Sequence, residues 1–460
     1  MKSPFRAPAR RRWLRSLAAL AAVDALPLAA SAQSPARSSA AASAAPAASV
    51  DRDAAGRPSS ADAAAEPIRI AVIEGFSGAF ANAGAAVWRN LRFAAERINA
   101  RGGVRVGARR HPLHLIAFDS KGQTEEALVQ LQKAADQSIP FVMQGNSSAI
   151  AAALIDAIDR HNSRAPDRAM LFFNYAAVDP ALTNERCSFW HFRFDADARM
   201  RMSALIDALA QNPRIRRVYL LNQDYSFGRQ VASLATAMLA DKRPDVTIVA
   251  DELLAMGRVK DFAPYAAKIR ASGADAVITG NWGNDLTLLV RAARDGGADV
   301  VFYTFYANSL GAPQALADSG PGRVFAVSEW HPNAGIAEGE RILDAFRATV
   351  SDPRDDYFNM RHVVMFEMVA AAIERAGGTR AVAVARALEG ARYGGPPYAV
   401  TMRADDHQIL TPQYVSVMAR RGEDGIRYDV EGSGVGFRTV RFVSADEAAA
   451  PHACRMKRPG

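Results

Sequence analysis

From Pro67 onward the apolar positions of the chain switch repeatedly between two periods. The run IRIAVI (68–73) is short and β-branched, and beyond a glycine-containing loop Val87, Leu91, Ala95 and Ile98 recur at helical spacing. The unit repeats: LHLIAFD precedes Ala127, Leu128, Leu131 and Ala135, PFVMQG precedes Ala151, Leu154, Ile155 and Ile158, and AMLFFN (169–174) closes the series. A second series opens with Met202, Leu205, Ile206 and Leu209 on a helix. RVYLLN, VTIVAD, DAVITG and DVVFYTF follow, separated by helices over about 229–240, 262–271 and 285–294. Strands alternating with helices predict parallel sheets built from βαβ units, and two series predict an α/β protein of two doubly wound lobes. After RVFAVSEW (323–330) the spacing predicts helices near 337–349, 358–376 and 380–389, then late, partly antiparallel strands at YAVTM and QYVSVM. Ligands in open α/β sheets sit at the carboxyl ends of the strands, so the residues just after each strand are the candidates.

Composition changes this picture mainly at the N-terminus. With 460 residues, 49% hydrophobic and 23% charged, the chain is globular and too long for one ordinary core. Of the formal charge of +8, residues 1–32 hold a net +5, because Lys2, Arg6, Arg10, Arg11, Arg12 and Arg15 face Asp24 alone. The +3 left for the remainder gives no basis for a nucleic-acid partner. A basic run, an apolar stretch from Leu17 to Ala30 interrupted by Asp24, and Ala30-Ser31-Ala32 read as an export signal over 1–32, of Sec or twin-arginine type. The stretch falls short of the ~20 residues an uncleaved anchor needs. Residues 33–66, nearly all Ala, Ser, Pro and small polar residues, read as a disordered tether. No cysteine precedes Cys187, so a lipidated N-terminus is not expected, and a free periplasmic protein is. There Cys187 and Cys454 would form a disulfide or stay as two buried thiols.

The loops after the strands carry the candidate chemistry. GFSGA (75–79) lacks the last glycine of a nucleophile elbow, and His331 and His362 lie in ordinary contexts, so a hydrolase built on Ser77 is a minor alternative. No metal, P-loop or dinucleotide pattern occurs, and no cofactor is expected. In QGNSSAI (144–150), Ser147 and Ser148 stand where a strand gives way to a helix: one serine as an N-cap, or both hydroxyls and free N–H groups gripping a carboxylate. Aromatic loops follow other strands: FFNYAAVDP (172–180), NQDYSFG (222–228), GNWGND (280–285) and FYTFYANS (302–309). Each could be core; together they suggest a ring-lined cleft, with Trp282 the strongest candidate.

The order of GFSGAFANAG, ERINARGGV, FDSKGQTEEA, GNSSA, DPALT, FRFD, DYSFG, SGADAVITG and LLVRAARDGG resembles the type I periplasmic binding proteins, in their branched-chain amino acid branch. The resemblance runs from about Ile68 to Met418. It implies a binding protein rather than an enzyme: two lobes joined by three crossovers, closing on a small ligand and then recognised by an ABC permease. The expected lobes are 67–194 with 327–392 and 195–326 with 393–445, followed by a C-terminal tail over 446–460, in a monomer. The resemblance assigns Ser147 and Ser148 to a ligand carboxylate and the backbone near Ala176 and Ala177 to holding the ligand. It places Trp282 and Phe227 against the ligand; Phe76, Tyr175 and Tyr306, at strand ends, are expected as further contacts.

Two positions depart from the family. Val178 replaces a threonine that helps bind an α-amino group, and Tyr306 falls where relatives keep the acid that pairs with the ammonium. No Asp or Glu occurs between Val300 and Ala317. Because a desolvated ammonium without an acid is costly, the ligand expected is a small, partly apolar or aromatic carboxylate. Glu329 is the residue able to reverse that expectation by supplying the acid. The alternative role for the same fold is a periplasmic sensor that reports to a chemoreceptor or kinase.

Overall fold

The computed structural model describes residues 65–460, so the expected signal segment and most of the tether lie outside the described residues. The first lobe begins with β1 (Ile68–Glu74), α1 (Ala81–Asn99), the hairpin β2 (Val104–Val106) and β3 (Arg109–His111), and β4 (Leu113–Asp119). It continues with α2 (Thr124–Asp136), β5 (Phe141–Gln144), α3 (Ser148–Arg164), β6 (Leu171–Asn174) and β7 (His191–Arg193). The five strands pair in the order β4-β1-β5-β6-β7, all parallel. Alternation along each strand feeds both faces: Ile68, Ile70 and Val72 join one core, while Ala71 and Ile73 join the other. AMLFFN does not close this half, since the short β7 adds an edge strand beyond it.

The second lobe comprises α4 (Ala198–Ala210), β8 (Arg217–Gln223), α5 (Ser226–Lys242), β9 (Thr247–Leu254), α6 (Ala263–Ser272) and β10 (Ala276–Thr279). It goes on through α7 (Asn284–Asp295), β11 (Val301–Thr304), α8 (Ala312–Leu316) and β12 (Val324–Ser328). The chain then returns to the first lobe as α9 (Ala337–Arg347), α10 (Met360–Ala376) and α11 (Ala381–Leu388), whose apolar faces complete the core over α1. β13 (Arg392–Tyr393), β14 (Val400–Met402) and β15 (Ile409–Leu410) form a small antiparallel sheet. Finally β16 (Gln413–Arg420) and β17 (Val435–Val443) extend the second sheet antiparallel to β12, in the order β17-β16-β12-β11-β10-β8-β9, before α12 (Ala445–Ala448).

Two details differ from the expected division. β12 keeps residues through Ser328 in the second sheet, whereas the boundary was expected at 327. Val400, Met402 and Ile409 bury in the first lobe's core, so residues up to about 410 do not belong to the second lobe. Of the two states expected for the thiols, the Cys187–Cys454 disulfide is the one that forms.

Candidate functional site

The lobes meet beyond the carboxyl ends of their strands, where Phe80 of the first approaches Trp282 of the second, and the candidate cleft is the space between these ends. On the first lobe, Ser147 has an extended backbone and caps α3, its Oγ accepting the Ile150 N–H at 3.3 Å. The Ser148 Oγ accepts the Asp179 N–H at 3.3 Å. Each hydroxyl thus spends an acceptor site on the protein and keeps its O–H to donate. The first N–H groups of α3 have no intrahelical partner, and together these donors suit an anion.

The loop after β6 turns inward instead. The Asn174 Oδ1 accepts the N–H groups of Ala176 and Ala177 at 3.1 and 2.8 Å, so these amides serve the turn rather than a ligand. Tyr175 is fully buried, its hydroxyl donating to Glu74, and its ring packs 4.9 Å from that of His362; it is a core residue, not a wall of the cleft. Gly145 makes this fit possible, because a Cβ there would lie 2.5 Å from the Tyr175 ring. Glu74, which ends β1, also accepts the N–H groups of Gly145 and Asn146 at 2.8 and 3.1 Å, and burial raises its pKa. Phe76 packs edge-on to Trp88 at 5.7 Å, against the first core. Val178 lies in the second lobe's core cluster.

On the second lobe Phe227 is 2% exposed and stacks among Tyr225, Phe305 and Tyr306, so it shapes the cleft from below. Trp282 remains partly open, and its indole N–H donates to the Tyr225 hydroxyl at 3.1 Å. Its ring lies 5.6 Å from that of Phe80 on the first lobe, bringing the two lobes together at one aromatic contact. Phe80 gave no distinct signal in the sequence beyond its place in the first loop. Gly122, at φ +70°, leaves room for it, since a Cβ would come within 2.6 Å of the ring.

Charge is concentrated where the crossovers meet. Asp195 receives Arg201 at 2.6 and 2.8 Å, and Arg361 lies 3.5 Å from the same carboxylate. Arg361 also donates to both oxygens of Glu329, at 3.1 and 3.0 Å. Burial opposes the Arg361 charge, but Asp195 and Glu329 outweigh it and its pKa is raised. Glu329, 4% exposed, is therefore committed to a guanidinium and is not a free acid. Arg201 also stands 5.8 Å from the centre of the Tyr306 ring, and burial pushes the Tyr306 hydroxyl up to about 12. Asp195 and Arg201 are six residues apart, but Glu329 and Arg361 come from later segments, so spacing along the chain does not foretell that the four meet. A further acid, Glu431, accepts the Gly311 N–H at 2.6 Å, and its other oxygen has no protein partner.

Ser77 donates to Asp119 at 2.5 Å, and among the described residues no histidine contacts it. Its partner orders the loop, with Asp119 also accepting the N–H groups of Phe76 and Lys121. Surface grooves of about 590 and about 760 Å³ lie away from the cleft, one beside Arg69 and Arg380 and one between α6 and α7.

Comparison with known proteins agrees with this arrangement. A family model described as periplasmic binding protein matches residues 67–423. The Leu/Ile/Val-binding protein homolog 4 of Brucella abortus is 29% identical over 416 residues, covering 87% of this chain and 95% of that protein. The closed-form crystal structure of the leucine-, isoleucine-, valine-, threonine-, and alanine-binding protein from Brucella ovis superposes with a TM-score of 0.76. It is 26% identical and covers 86% of this chain and all of that one. A solute-binding protein from R. palustris solved with benzoate has a TM-score of 0.69 at 16% identity, over 85% of this chain and 99% of its own, a likeness of fold alone. With two doubly wound lobes, a cleft at their strand ends and a match over most of its length, the chain belongs to the periplasmic binding protein family.

Proposed function

We propose that the protein is the periplasmic solute-binding component of an ABC importer, acting as a monomer, and that its ligand is a small carboxylate with an apolar or aromatic body. Ser147, Ser148 and the start of α3 hold the carboxylate; Trp282, Tyr225, Tyr306 and Phe80 enclose the body. Closure of the lobes over the ligand gives the form that a permease recognises, with no bond made or broken. The observation that carries the ligand class is the commitment of Glu329 to Arg361 beside an Arg201–Tyr306 contact. An ammonium brought there would meet guanidinium groups before an available carboxylate. The benzoate-bound neighbour shows that this fold accommodates an aromatic acid.

A second reading, an α-amino acid ligand, draws on Glu431, whose carboxyl lacks a cation partner, and on relatives named for leucine, isoleucine and valine. Thermal melting against benzoate, 4-hydroxybenzoate, isovalerate, leucine, isoleucine and valine separates the two. Stabilisation by the acids without an amino group is expected; a response confined to the amino acids overturns the ligand class while leaving the transport role intact.

A further inference from the structure

Three segments carry the chain between the lobes: residues 194–197 between β7 and α4, 329–336 between β12 and α9, and 411–412 between β15 and β16. A fourth passage follows them. Ala448, 3% exposed, is still packed in the second lobe's core, and the Pro451 carbonyl accepts a bond from Arg199 of α4 at 2.9 Å. Two residues later the Ala453 N–H donates to Asn184 of the first lobe at 2.9 Å. Cys454 is then bonded to Cys187, in the loop that precedes β7. Beyond it Met456 packs on the first core and Arg458 reaches Glu389 at 2.9 Å.

This passage lies beside the other crossovers. Cys187 is six residues before Arg193, which bridges Gln408 just ahead of the third crossover, and the Ala450 carbonyl accepts from Arg403 of the same region. The bonds of Arg199 to Pro451 and of Arg458 to Glu389 are exposed and that of Ala453 to the buried Asn184 is a single hydrogen bond, so all three would yield to a hinge motion. The covalent bond would not. From Ala448 to Cys454 is six residues, a reach of about 20 Å at full extension. An opening or twist that carries the Cys187 loop beyond that reach from α12 is therefore closed to the oxidised protein.

We infer that the Cys187–Cys454 bond makes the C-terminal tail a fourth, covalent strut across the hinge, which restricts the open conformations and so lowers the cost of closing on ligand. The inference rests on the reading of the cleft as a site that closes on ligand. Its energetic logic is that of population shift: a restraint that removes open conformers but leaves the closed form untouched raises apparent affinity.

Small-angle scattering of the ligand-free protein tests the strut without any ligand. The Cys187→Ser/Cys454→Ser variant is expected to show a larger radius of gyration than the oxidised protein, and full-length protein reduced under native conditions is expected to match the variant. Arg458→Ala, which loosens the tail while keeping the disulfide, is expected to scatter like the oxidised protein. Calorimetric titration with benzoate is expected to show affinity weakened by about three- to tenfold in the double variant. Identical ligand-free scattering for oxidised and disulfide-free forms, both folded by circular dichroism, overturns the strut. If the double variant does not fold, the natively reduced protein decides by the same comparison. A failure of benzoate to bind either form counts against the proposed ligand class and leaves the scattering result to judge the strut.

Discussion

Glu431 adopts a left-handed backbone (φ 58°), donates its N–H to Asp356 at 2.6 Å and keeps its carboxyl against the Gly311 N–H. Burial raises its pKa to about 7, the Gly311 bond opposes the shift, and Asp356, itself paired with Arg347, adds to it. A carboxyl raised in the folded state stabilises fully below its unfolded value and loses that contribution as pH rises through the folded one. The native protein is therefore expected to lose up to about 3 kcal/mol of stability from this group between about pH 5 and about pH 8. Glu431→Gln should flatten that slope in urea unfolding at the two pH values; an unchanged slope would show that Glu431 is not the titrating group. Single residues were also where the sequence was hardest to read. Tyr175 looked like a cleft aromatic because it follows a strand, yet it meets Glu74, 101 residues earlier, in the core. Trp282, in a polar loop with Gly280 and Gly283, is half-buried and meets Phe80 of the other lobe.

At the scale of elements, hydrophobic period carried most of the fold. The helices expected at 285–294 and 380–389 appear as α7 and α11 within two residues, because their apolar stripes match the core-facing side. The strands that escaped notice were β2, β3 and β7, each three residues long, β13 and β15, each two, and β17, an edge strand that leaves Val440 and Phe442 exposed. At the start of α3 Ser147 is the N-cap that local sequence favours, its Oγ accepting the Ile150 N–H, and the proposed carboxylate contact uses its remaining hydroxyl hydrogen. Ser147→Ala should cost about 1 kcal/mol of stability through the lost cap. It should also weaken benzoate binding by more than Thr124→Ala on the neighbouring helix α2. Equal affinity for the two variants in calorimetry would reduce Ser147 to a cap.

For the whole molecule the working unit is the pair of lobes. The Phe80–Trp282 contact is made only when they approach, so its removal acts on closure more than on folding. Trp282→Ala is expected to weaken benzoate binding about tenfold or more while shifting the melting temperature of the ligand-free protein by no more than a few degrees. Unchanged affinity would place Trp282 outside the binding surface. By itself the sequence determined the alternation of strands and helices, the two lobes and the strand ends where a ligand belongs, since periodicity and turn chemistry are local properties. It also held the lack of any Asp or Glu between Val300 and Ala317, which is a matter of residue identity. Tertiary structure alone decided that Glu329 belongs to Arg361, that Tyr175 faces inward and that Phe80 reaches Trp282, and it chose the disulfide over two free thiols for Cys187 and Cys454. Each of those depends on residues far apart in the chain meeting in a desolvated interior, where a charge or ring is fixed by its neighbours in space rather than by those along the chain.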